Sequence, residues 1–127
     1  MGVRNTKYIM YGVEVPYSEY VRASKADSDD YEENDKFWEN YGLEYNKDAL
    51  YGCISDGMCG EYAVFGAVLA RFDDGYGQEL PSGVIDLKKV FKPYPLTAKR
   101  KAEIKAGVEK LLGYEVKLKK LFVNHYS

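Results

Sequence analysis

Residues 61–72, EYAVFGAVLARF, constrain the fold more than any other stretch of this chain. Successive side chains of a strand point to opposite faces. Here Tyr62, Val64, Gly66, Val68, Ala70 and Phe72 share one face, and Ala63, Phe65, Ala67 and Leu69 the other. Both faces are apolar through Leu69, which predicts a strand in the middle of a sheet, covered on both sides. The alanines also permit a helix, but Val64, Phe65, Gly66 and Val68 favour the strand. Gly66 leaves room for a helix or an aromatic ring to lie close across the sheet.

The other elements fall around that strand. Residues 8–15, YIMYGVEV, alternate and predict a first strand whose apolar face holds Ile9, Tyr11, Val13 and Val15, with Gly12 marking a bulge or a tight neighbour. Pro16 ends it, and Ser18 is placed to cap a short helix through residue 24. A second helix is expected over 30–41, acidic in its first turn and stopped by Gly42, with Tyr31, Phe37, Trp38 and Tyr41 on a broad face. A short strand is expected at 48–55, and a strand or helical turn at 84–91. The clearest helix spans 98–112, capped by Thr97, stopped by Gly113 and striped with Ile104, Val108, Leu111 and Leu112. A last strand is read over 114–123, where the apolar phase slips by one at Lys119–Lys120. These elements predict one α+β domain over residues 1–127, built on a mainly antiparallel sheet of four or five strands with two or three helices. At 127 residues and 46% hydrophobic composition the chain can bury a core without metals or disulfide staples.

Residues 51–61 are the first place to look for chemistry, because Cys53, Cys59 and three glycines gather there. Asp56–Gly57 is a strong turn signal. A two-residue loop pairs Ile54 with Cys59 and turns the thiols apart. A three-residue loop sets Cys53 opposite Cys59, where a disulfide becomes possible. Two thiols and a distant histidine make a poor zinc set, so inert thiols are the expectation. The loop's glycines permit an anion-binding nest of amides, but Asp56 and Glu61 oppose a phosphate. Asp56 and Glu61 as paired carboxylates, and Asp73, Asp74 and Glu79 as cation ligands, are both read as solvated turns. His125, three residues from the end, is read as part of a mobile tail and not as a partner for a cysteine nucleophile. No catalytic residue, metal ligand or cofactor site is assigned, and an enzymatic role ranks last.

Charge is distributed unevenly. Residues 1–87 hold seventeen acidic and seven basic side chains, and residues 88–127 hold three acidic and eleven basic. The two halves can neutralise one another within a domain or across a homodimer. If they do not, each addresses a partner of opposite charge. The acidic set, together with thirteen tyrosines in the chain, points to a protein-binding surface made of Asp30, Glu33, Phe37, Glu39, Tyr41 and Tyr45. The basic set points to nucleic-acid phosphates through Lys99, Arg100, Lys105, Lys117 and Lys119, with Phe91, Tyr94 and Tyr114 for stacking. A small ligand at the glycine-rich hairpin is a third reading. The first residues lack a long apolar run, and no stretch reaches membrane-spanning length, so a soluble, cytoplasmic protein is expected. Gly2 and Thr6 match the myristoylation pattern formally, but the strand at 8–15 argues against lipidation.

The phrases YIMYGVEVPYSEY and DGMCGEYAVFG resemble, in style, the small single-domain proteins that bacteriophages encode. The resemblance covers about half the chain and carries no functional residue. It implies action in the cytoplasm of an infected host, by binding or inhibiting a host protein or defence component. The resulting expectation is a non-enzymatic binding protein that works through its acidic, aromatic-rich surface.

Overall fold

The computed structural model describes residues 5–26, 29, 31–46, 49–57, 59–74 and 96–126. Along the chain run β1 (Asn5–Val15), α1 (Tyr17–Ser24), α2 (Tyr31–Tyr41), β2 (Gly52–Ser55), β3 (Ala63–Asp74), α3 (Ala98–Leu112) and β4 (Lys119–Tyr126). The strands form one antiparallel sheet in the order β2-β3-β1-β4. The fold is α+β, as the sequence pattern predicts. The expected element at 84–91 lies outside the described residues, as do Asp30, Glu79, Phe91 and Tyr94.

β3 is interior, between β2 and β1, and both of its faces are covered. Phe65 and Ala67 pack with Val15, Tyr20, Phe37, Ile104, Val108 and Leu112 under the helices. Val64 packs on the other face with Tyr8, Met10, Leu43, Ile54 and Val123. β1 likewise serves both sides. Tyr8 and Met10 are its most buried large side chains, while Ile9 is only half-buried. The expected single apolar face of β1 is therefore incomplete. β1 itself alternates from Asn5 to Val13, with Thr6, Tyr8, Met10 and Gly12 on the more buried face, and the register shift between Ile9 and Met10 falls on β3, where Leu69 is the extra residue.

Gly52, Gly66 and Gly12 stand side by side across β2, β3 and β1. A Cβ on Gly12 would meet the Phe65 carbonyl oxygen at 2.5 Å, and one on Gly66 would run into the backbone of Tyr11 and Gly12. The close approach expected at Gly66 is thus made by the neighbouring strand, not by a helix or a ring. This lane without side chains lets the sheet coil tightly over its second core. The edge strands of a flat four-stranded sheet stand about 14 Å apart, at roughly 4.8 Å per spacing. Here Ile54 of the β2 edge and Val123 of the β4 edge share one cluster.

The three helices cover the first core, with α1 in contact with both α2 and α3. The Arg22 guanidinium pairs with Glu19 and donates to the Leu112 carbonyl at 2.6 Å, so it tethers the end of α3. Asn34 donates to the Ser24 carbonyl at 2.9 Å and joins α2 to α1. α3 ends as its sequence predicts: the Thr97 hydroxyl accepts from the Arg100 amide, and Gly113 takes φ 84°. α1 does not start as predicted. Pro16 occupies its N-cap without a side-chain bond, and Ser18 lies inside the helix. Gly42 is no left-handed stop either; among the described glycines only Gly60 and Gly113 have positive φ. Its missing side chain instead makes room for the Trp38 ring.

β4 begins at Lys119, not at residue 114. The Val116 amide donates to the Glu109 carboxylate at 3.0 Å, which uses a side chain of α3 in place of a strand partner. The phase slip at Lys119–Lys120 marks where the strand starts.

Candidate functional site

The β2–β3 connection determines one wall of the candidate site. It is longer than the two- or three-residue hairpin expected, since Ser55–Ala63 is the last strand pair. The Asp56 carboxylate accepts from the amides of Cys59 and Glu61, each at 3.1 Å, and its own amide donates to the Tyr62 carbonyl at 2.9 Å. Asp56 is only 6% exposed, so it is a buried organiser of this loop and not a solvated turn residue. The amides that an anion nest would offer are already held by this carboxylate. Cys53 pairs with Phe65 inside the sheet, Cys59 is exposed in the loop, and both are free thiols. Burial pushes the Cys53 thiol well up, which leaves it unreactive. Among the described residues no group of three His, Cys, Asp or Glu side chains is placed to hold a metal ion.

The turn after α2 sets the opposite wall. The Leu43 amide donates to the Cys53 carbonyl at 3.2 Å, and the amides of Tyr45 and Asn46 return to the Gly42 carbonyl. Asn46 then donates to the Glu39 carbonyl at 3.1 Å and closes the end of α2. This anchored turn carries Leu43 into the second core, Glu44 to its edge and Tyr45 outward.

β4 supplies the floor. His125 pairs in register with Thr6 and is 1% exposed. Its Nδ1 lies 2.7 Å from the Tyr62 hydroxyl, and its Nε2 faces the Glu44 carboxylate in a close ion-pair contact without full hydrogen-bond alignment. The Glu44 carboxylate can only accept, so Nε2 carries a proton, and Nδ1 and the Tyr62 hydroxyl share one hydrogen bond. Burial, with the Asp56 and Glu44 charges adding to it, pushes the Tyr62 phenol up to about 12 and keeps its proton in place. A phenol held neutral is a poor nucleophile, so this chain of side chains locks β4 to the loop and does not activate a hydroxyl. The expected mobile tail is therefore an ordered strand. The signal was present in the phase: His125 continues the alternation of Leu121 and Val123.

Above His125 opens a cavity of about 330 Å³ between α1, the end of α2, the β2–β3 loop and the end of β4. Tyr17, Tyr20, Trp38 and Tyr45 form a connected series of rings with centroids 5.1, 5.7 and 6.1 Å apart and planes inclined by 50°, 58° and 81°. Inclined rings make a cup rather than a stack. Tyr126, Glu44 and Ser55 complete its rim and floor.

The residues expected to bind a protein divide between surface and interior. Glu33 and Glu39 lie exposed on α2, and Tyr45 is 75% exposed. Phe37 is buried under α2, and Tyr41 is half-buried, stacked on Tyr51 with centroids 5.7 Å apart. Of the expected nucleic-acid contacts, Lys99, Lys105, Lys117 and Lys119 are exposed, while Arg100 is half-buried. Among the described residues, Glu33 and Glu39 form no ion pair with those four lysines. No family model, curated protein or solved structure matches this chain.

Proposed function

We propose that this chain is a protein-binding module without a catalytic step, which uses the outer face of α2 and the turn behind it to engage a basic surface. The observation that carries this reading is Tyr45, held 75% exposed by an anchored turn, edge-on to Trp38 and beside the exposed carboxylates of α2. Tyr31, at the start of the same helix, is 81% exposed. Exposed aromatic side chains on the same helix and turn as exposed carboxylates are the composition of a contact surface, where rings supply area and acids select a cationic partner. The same contact is the one through which an inhibitor of a host protein would act.

The experiment uses octalysine as a defined basic probe. Wild-type protein is expected to bind immobilised octalysine at low salt and to lose binding as salt rises. The double variant Glu33→Lys, Glu39→Lys is expected to bind about tenfold more weakly, a change of about 1.4 kcal/mol. Undiminished capture of that variant contradicts the reading. A second reading, in which the exposed Lys99, Lys105, Lys117 and Lys119 hold nucleic-acid phosphates, requires a salt-sensitive gel shift with single-stranded DNA. Absence of a shift at low salt removes it.

A further inference from the structure

We infer that the aromatic cavity over His125 is a cage for a single cationic group, the lysine ammonium or arginine guanidinium of the bound partner. The inference rests on the protein-binding reading above and specifies what the partner inserts. Among the described residues the cavity's lining holds aromatic rings from Tyr17, Tyr20, Trp38, Tyr45 and Tyr126, one carboxylate from Glu44, and no lysine or arginine. The carboxylate stands at the cavity floor beside His125. Ring faces carry negative quadrupole potential, and several of them around one site attract a cation more strongly than water-exposed pairs do.

The geometry favours a cation over an apolar or anionic guest. Tyr17, Tyr20, Trp38 and Tyr45 all line the cavity, and their planes are inclined to one another, so they offer no flat stacking platform. The Glu44 side chain is 17% exposed, and its contact with the buried His125 ring fixes its position at the cavity. An anion would meet the Glu44 carboxylate with no lysine or arginine among the described lining residues to offset it, and an apolar guest would desolvate that carboxylate without adding a polar contact. At about 330 Å³ the space is near the small end of ligand clefts, which run from about 300 to 1,000 Å³, and suits one side chain better than a cofactor.

Trp38 is the only tryptophan of the chain and lines the cavity, so its emission reports occupancy directly. The test titrates the protein with choline, with Nα-acetyl-lysine methylamide, and with 3,3-dimethylbutan-1-ol, the uncharged isostere of choline. Saturable change in Trp38 emission is expected with both cations, with the neutral isostere at least about tenfold weaker. Tyr45→Ala and, separately, Glu44→Gln are expected to weaken choline by about three- to tenfold. The first alters an exposed side chain, so it keeps the test interpretable if the second disturbs His125. Equal binding of the neutral isostere, or no saturable change with either cation, overturns the inference. The Glu33→Lys, Glu39→Lys variant separates this claim from the one it rests on. It is expected to keep choline binding while losing octalysine. Octalysine capture that survives charge reversal defeats the surface reading alone, and choline that fails on wild type defeats the cage alone.

Discussion

The glycine-paired centre of the sheet and the aromatic rim at its open end are made of opposite materials. At the centre, Gly12 and Gly66 bring two backbones so close that no side chain fits between them. At the rim, rings, hydroxyls and one carboxylate line a cavity. The first region spends its composition on closure and the second on chemistry. The two meet in one sheet: Tyr62 and His125 lie at opposite ends of the β1 register yet stand 2.7 Å apart, which a flat sheet would not allow.

Breaking the centre is expected to give the largest effect. Gly66→Val would drive a branched side chain into the Tyr11 and Gly12 backbone, where nothing flexible can give way. A loss on the order of 3 kcal/mol or more is expected from urea denaturation, with folding of the variant itself in question. A loss below about 0.5 kcal/mol would mean that strand closure at this pair is not what shapes the sheet.

A smaller effect is expected where rim and centre meet. Tyr62→Phe removes the hydroxyl partner of His125 Nδ1 and leaves a buried ring nitrogen without it, for a loss of about 1–3 kcal/mol near neutral pH. The same residue gives a pH signature. Its folded pKa, about 12, lies above the ordinary 10.0, so the folded state keeps a proton that the unfolded chain loses. Its contribution is full below pH 10 and declines as pH rises from there toward 12. Tyr20 and Tyr51 are shifted upward by burial as well and act in the same direction. Denaturation midpoints measured from pH 8 to 11.5 should therefore fall at the alkaline end, and fall less steeply in Tyr62→Phe. Identical slopes would show that Tyr62 does not differ between the folded and unfolded states.

What the amino-acid pattern reveals follows the same division. β3 and α3 are legible because their signals are local: two apolar phases in one run, a threonine before a stripe, a glycine after it. The loop after β2 is not, because the Asp56 side chain replaces the backbone bonds that a tight hairpin would use. Residues 114–118 imitate a strand, but the Glu109 carboxylate takes the Val116 amide. Glu33, Glu39 and Tyr45 fall on the surface as their composition suggests, while docking of α2 on the sheet draws Phe37 and Tyr41 inward. The cluster of Glu44, Tyr62 and His125 assembles three distant segments, and nothing in any one of them announces the other two.

The separation between a centre that holds the fold and a rim that binds is tested most directly by Tyr45→Ala, with stability and binding measured on the same preparation. Loss of an exposed ring should move the melting temperature by no more than about 2 °C. The choline titration of Trp38 emission should weaken by about three- to tenfold on that same sample. A melting temperature lowered by more than about 5 °C, or choline affinity equal to wild type, would contradict the account.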